Sequence, residues 1–169
     1  GNLYKINVNY YGGWFHNGTH IIDTLIYLFD DIPVFKKIHF SLQTQYRNDP
    51  SIEISGKMKK SNSYLQLSVI DEKFYQVFEF DLMFTKGRLK IEDFEDEFTI
   101  FNKEKNSLGE NILLKERREA YKIKSCSLEN AINQICNYLE KFDLKFIESK
   151  NIQNSKGTFF SLLQGNSLL

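Results

Sequence analysis

The tightest constraint on this chain is a series of short runs in which apolar and polar residues alternate. Tyr4, Ile6, Val8 and Tyr10 alternate with Lys5, Asn7 and Asn9, and a period of two marks a strand with one buried face. Ile38, Phe40, Leu42 and Tyr46 alternate with His39, Ser41, Gln43 and Gln45, predicting a long second strand. Three further runs cover Ile52 to Met58, Tyr64 to Ile70 and Phe74 to Phe84, with shorter ones at Leu89–Ile91 and Phe98–Phe101. Turn chemistry separates them, as at Asn48-Asp49-Pro50-Ser51 and Lys86-Gly87. Six or seven strands so closely spaced predict an open, largely antiparallel sheet, one face packed and the other more polar. Residues 103–123 carry little pattern and read as a polar excursion.

Helical spacing interrupts this pattern in three places. After Gly12 and Gly13, the residues Ile21, Ile22, Leu25, Ile26 and Phe29 form an apolar stripe over a helix that starts near Thr19 and closes at Asp30, Asp31 and Pro33. Leu128, Ala131, Ile132, Ile135, Leu139 and Phe142 mark a second helix behind the possible caps Ser125 and Ser127. A weaker third segment covers about Lys156 to Leu163. Helices with no alternating strands between them, set against an open sheet, give an α+β domain with the helices packed on one face.

Composition bounds the function. At 169 residues the chain makes one domain, 1–169, able to bury about two-thirds of its unfolded surface. Its 15 Phe and 9 Tyr fit a well-filled sheet core rather than disorder. Lys plus Arg and Asp plus Glu both number 22, so no global field draws the chain to nucleic acid or a membrane surface. The acidic run around Glu92–Glu97 and the basic run around Lys115–Lys124 read as solvated surface. Cys126 and Cys136 lack metal-ligand spacing, and Cys136 falls on the second helix's apolar stripe, as a reduced core thiol would. No apolar run reaches membrane-spanning length, and a cytoplasmic location is the expectation.

Chemistry concentrates in Gly12-Gly13-Trp14-Phe15-His16-Asn17-Gly18-Thr19-His20-Ile21-Ile22-Asp23. His16, His20, Asp23 and Tyr27 recur at helical spacing beside the apolar stripe. The positive end of a helix dipole disfavours an imidazolium, so a histidine in a first turn is suited to accept a proton. Gly12, Gly13 and Gly18 would let a ligand approach the backbone, and Trp14 and Phe15 offer flat apolar surface for a sugar or cofactor ring. The i, i+4 histidines have the spacing of a zinc protease motif, but its Glu is replaced by Asn17 and only Asp23 offers a third ligand. No metal is expected. A purely structural reading, with His20 and Asp23 bonding the helix start, competes.

This strand, Gly-Gly turn and Gly18-x-His20-x-x-Asp23 helix, followed by an open sheet and closing helices, resembles the C-terminal domain of the Gfo/Idh/MocA oxidoreductases, the family of glucose–fructose oxidoreductase and inositol dehydrogenase. The resemblance extends to the Phe80–Lys90 hairpin and the helix at Asn130-Ala131-Ile132. It implies that His20 assists proton removal from a sugar hydroxyl and that His16 and Asn17 contact substrate hydroxyls or relay the proton. Trp14 and Phe15 would shape the pocket or its interface with a Rossmann domain, and Asp23 would orient the histidine helix. Many members carry an acidic residue where this chain has His16. The His-Asn-Gly-Thr-His variant looks most like members acting on nucleotide-activated or polysaccharide-precursor sugars.

The family also carries a Rossmann domain with a Gly-x-Gly-x-x-Gly turn and a catalytic Lys-Pro, and neither motif occurs here. The expectation is therefore the substrate-binding and dimerisation half of a two-domain enzyme, inactive alone. NAD or NADP would be held mainly by the domain this fragment lacks, and none by the fragment. The sheet's polar face, with His39, Gln43, Gln76 and Glu79, would pair subunits into a homodimer or larger homo-oligomer. The rival is a non-enzymatic open-sheet module that dimerises or binds a small ligand.

Overall fold

The computed structural model describes residues 1–92, 97–120 and 150–169. The alternating runs become β1 (Leu3–Tyr10), β2 (Pro33–Leu42), β3 (Ser51–Met58), β4 (Tyr64–Val69), β5 (Glu79–Phe84), β6 (Gly87–Glu92), β7 (Glu97–Lys105) and β8 (Asn111–Ala120). They form one sheet in the order β2-β3-β4-β1-β5-β6-β7-β8. A π-helical turn, Gly13–Gly18, leads from β1 into α1 (Thr19–Phe29), and α2 (Lys150–Asn166) lies at the end of the chain. The fold is α+β, as expected.

Strand β1 decides the topology. It pairs in parallel with β4 and antiparallel with β5, and every other described pairing is antiparallel. A parallel neighbour cannot be reached by a tight turn. The chain therefore leaves β1 through α1, crosses over one face to the sheet edge at β2, and returns by the β2-β3-β4 meander. On the other side β5 to β8 simply fold back and forth.

In β1, Ile6, Val8 and Tyr10 are buried while Tyr4, Lys5 and Asn9 are exposed. Register carries this across the sheet, since Ile6 and Val8 lie beside Leu65 and Leu67 of β4 and beside Leu82 and Phe80 of β5. Onto this face α1 sets Ile21, Ile22, Leu25 and Ile26, all buried, and α2 adds Leu162. Each such side chain contributes about 1.5–3 kcal/mol on burial. Gly157 of α2 lets the two helices approach closely, because a Cβ there would lie 3.3 Å from Ile26 Cδ1. Strand β2 is an edge, and α2 closes it at one point: the Gln164 side chain accepts from Phe35 N (3.0 Å) and donates to Phe35 O (3.1 Å), as a neighbouring strand would. The opposite face is polar. Across it, Arg88 makes a bidentate pair with Asp81, both contacts 2.6 Å, and these hydrogen bonds hold the guanidinium's pKa above its ordinary value.

Several expectations are corrected. Residues 103–123 are not an excursion, for β7 runs on to Lys105 and Asn111–Ala120 form β8. Among the described residues that strand has a neighbour on one side only, and its sequence carries charge where a central strand would carry apolar residues. Strand β2 spans Pro33–Leu42 rather than reaching Tyr46, and register shifts after Phe35 and Ile38 interrupt its alternation. The run from Phe74 becomes a strand only at Glu79, where pairing with Asn9 begins. Gln43 and Gln76 consequently lie outside the strands, while His39 lies exposed on β2 with its ring 2.7 Å from Ser55 Oγ. The third helix is longer than expected, beginning at Lys150. The predicted helix from Leu128 to Phe142, with both cysteines, falls outside the described residues. Among the described residues no helix is long and apolar enough to cross a membrane.

Candidate functional site

The glycine turn after β1 is built by two left-handed residues, Gly12 at φ 65° and Gly13 at φ 76°, a conformation that costs other residues steric strain. The chain then winds into a π turn, with Asn17 N donating to Gly12 O (3.3 Å), before tightening into α1. A helix start leaves four N–H groups without intrahelical partners. Here the segment entering β3 takes all of them. Gly13 N donates to Ser51 Oγ (3.0 Å) and Trp14 N to Pro50 O (2.9 Å). Phe15 N and His16 N donate to the two carboxylate oxygens of Asp49 (2.8 and 2.9 Å). Asp49 also explains Gly13, because a Cβ there would sit 2.3 Å from Asp49 Oδ2.

This capping bears on the cofactor. A dinucleotide pyrophosphate is held by free N–H groups at a glycine-rich helix start, and the donors of this turn are already taken. The one strand-to-helix glycine turn of this kind in the described chain does not fit a dinucleotide.

Trp14 differs from expectation. Its indole is fully buried, packs edge-on against Phe35 with ring centroids 5.3 Å apart, and donates from Nε1 to Leu162 O (3.0 Å). A Cβ on Gly18 would lie 2.9 Å from this ring, and one on Gly165 would lie 2.4 Å from it. Gly18 therefore makes room for Trp14, not for a ligand, and Trp14 joins α1 to α2 rather than facing a substrate. Asn17 is similarly enclosed, 8% exposed, with Nδ2 donating to Tyr11 O (2.8 Å). It braces the turn instead of reaching outward. Phe15 remains 40% exposed and available to a partner.

The expected line of His16, His20, Asp23 and Tyr27 splits in two. His16 lies in the π turn, whose wider winding takes it off the line of the following α-helix. Its Nε2 is 3.1 Å from the Tyr46 hydroxyl, and the two rings lie 4.3 Å apart. His20 is exposed and faces α2 instead. Together Thr19, His20, Asp23, Ser155, Thr158, Phe159 and Leu162 line a groove of about 380 Å³. Thr158 Oγ1 lies 3.2 Å from Asp23 Oδ1 and 3.1 Å from Asn154 O, so one hydroxyl proton serves both acceptors. The His20 imidazole has no hydrogen-bond partner among the described residues. Tyr27 is 69% exposed and outside the groove. Among the described residues no three His, Cys, Asp or Glu side chains converge on a metal position.

Sequence reasoning missed Tyr46, Asp49, Ser155, Thr158 and Phe159. Asp49 lies in the loop the turn chemistry predicts and Ser51 opens β3, but nothing local tells which helix they cap. The α2 residues lie more than 130 positions from His20 in the chain, and no pattern announces that contact.

No family model matches the sequence, and no curated protein matches it. Solved structures match by fold. A dehydrogenase (MviM) from Clostridium difficile aligns at a TM-score of 0.62 and 13% identity, covering 100% of this chain and 55% of that one. The UDP-N-acetylglucosamine 3-dehydrogenase GnnA from Acidithiobacillus ferrooxidans aligns at 0.63 and 9% identity, covering 100% and 54%. The transcriptional regulator Gal80p from Kluyveromyces lactis aligns at 0.55 and 17% identity, covering 82% and 44%. The chain thus spans about half the length of the structures it matches. At these identities the likeness is one of fold. The neighbours are of the Gfo/Idh/MocA oxidoreductase type, and the chain has the fold of about half of such a protein, the open sheet with its helices on one face.

Proposed function

We propose that this chain is the substrate-binding domain of an NAD(P)-dependent oxidoreductase acting on a sugar, with His20 as the acid/base. The observation that carries this reading is the α1–α2 groove. It presents an imidazole without a partner among the described residues, beside a carboxylate already oriented by Thr158, with an exposed aromatic ring, Phe159, lining the same groove. Polar groups and one flat apolar face suit a sugar, whose ring has hydroxyl edges and apolar C–H faces. His20 would accept the proton of the reacting hydroxyl, and Asp23 would hold the wall in place. The hydride chemistry belongs to a nicotinamide held by a companion domain, since the glycine turn here has no free donors for it. A nucleotide-activated sugar is the favoured substrate class, as GnnA is named for one. The polar sheet face would pair two copies of the chain.

The test is His20→Ala in the full-length enzyme, assayed with UDP-N-acetylglucosamine and NAD or NADP. Turnover should fall by about 10²-fold or more while the melting temperature stays unchanged. Should melting fall sharply while turnover per folded molecule persists, His20 is structural. A second reading has its own observation: the regulator Gal80p shares the fold. Under it the domain is a non-enzymatic ligand or protein module, and no nicotinamide turnover appears with any sugar.

A further inference from the structure

Tyr46 stands in a braced loop. Thr44 Oγ1 accepts from Tyr46 N (3.1 Å) and donates to Asp49 O (2.8 Å), Asp49 N donates to Tyr46 O (3.3 Å), and Gln45 N donates to Glu72 Oε1 (2.9 Å). Asn48 supplies the left-handed position that closes the loop, at φ 61°. Its far end, Asp49, grips the backbone of Phe15 and His16. Both rings of the Tyr46–His16 contact are therefore held from their backbones, at 4.3 Å between centroids and 3.1 Å between the hydroxyl and Nε2.

Which atom owns the shared proton follows from acid–base strength. A phenol is a better donor than a neutral imidazole N–H, and an imidazole nitrogen is a better acceptor than a phenol oxygen. With Nε2 accepting, the neutral ring carries its proton on Nδ1. Nδ1 makes no hydrogen bond among the described residues, and His16 is exposed. We propose that Tyr46 is a positioning residue that fixes His16 as the Nδ1–H tautomer. His16 then offers one oriented donor to an acceptor oxygen of the bound molecule, such as a carbonyl, carboxylate or phosphate oxygen. The ligand half of this inference rests on the sugar-binding reading above; the tautomer half does not.

Imidazole ¹⁵N NMR on the 169-residue chain, at about pH 8.5 where an ordinary histidine is neutral, separates the two. His16 should show a protonated Nδ1 and an accepting Nε2. Tyr46→Phe keeps the ring and removes the hydroxyl, and should move the proton to Nε2 with the backbone amide spectrum otherwise preserved. An Nε2–H tautomer in the unmodified protein, or an unchanged tautomer in Tyr46→Phe, overturns the proposal. If Tyr46→Phe does not fold, the unmodified protein still decides: a correlation from the Tyr46 hydroxyl proton to His16 Nε2 supports it, and an Nε2-bound proton overturns it. No substrate is needed, so failure here is distinct from failure of the His20→Ala assay.

Discussion

Two histidines four residues apart meet opposite surroundings. His16 is fastened: its backbone N–H is capped by Asp49, and its ring is bonded to Tyr46 and lies tilted against that ring. His20 is free, at the rim of a groove between two helices, without a partner among the described residues. A regular α-helix would have set them one above the other. The π turn separates them, handing one to the β2–β3 loop and the other to α2. Spacing that reads as a matched pair has become two different surroundings, one ring held against Tyr46 and one facing the groove.

Between the two sides lies Trp14, which touches both helices. Trp14→Ala should have the largest effect, a loss of about 3–5 kcal/mol in urea denaturation, because it empties the space between Gly18 and Gly165 and strands the Leu162 carbonyl. A loss below about 1 kcal/mol would mean the two sides are held independently. Asp49→Ala sharpens the contrast further. It removes two caps and should cost about 1–2 kcal/mol, with faster hydrogen exchange at Phe15 and His16 and little change around His20. Equal disturbance of both histidines would erase the distinction.

The smallest effect lies at the other end of α1. Burial acts to raise the Asp31 pKa, but N–H donors from Ser61, Lys60 and Ile32 outweigh it and hold the carboxyl below its ordinary value. A folded-state pKa lower than the unfolded one stabilises the protein above the unfolded value, about 4, and that contribution fades as pH falls through the lower folded value. Asp31→Asn should flatten this part of the acid limb of stability while leaving both histidines undisturbed. An unchanged acid limb would show that other carboxylates govern it.

Much of the fold was legible because burial has a period. Ile6, Val8 and Tyr10, or Ile21, Ile22, Leu25 and Ile26, announce their element by which neighbours are polar. The reading failed where that link breaks. Strand β8 lies at the sheet edge, and the bulges of β2 shift its register. The helix from Lys150 is held by pieces of side-chain chemistry, Gln164 on Phe35 and Ser161 on the Pro33 carbonyl (2.9 Å), that leave no periodic mark. For the candidate site, His16, His20 and Asp23 could be picked out by type and spacing. Trp14 and Asn17 read as ligand contacts because a large ring or an amide beside glycines looks alike whether the space around it is solvent or protein.

The sequence by itself determined the elements, the buried face, the glycine turn and the residues able to do chemistry, since each depends on local conformation and on polarity over a few neighbours. Only the tertiary structure decided which loop caps the helix, which ring fills the gap between Gly18 and Gly165, and which histidine stays free. Those outcomes depend on contacts between segments distant in the chain, and the geometry of such contacts exists only after the sheet has brought the segments together.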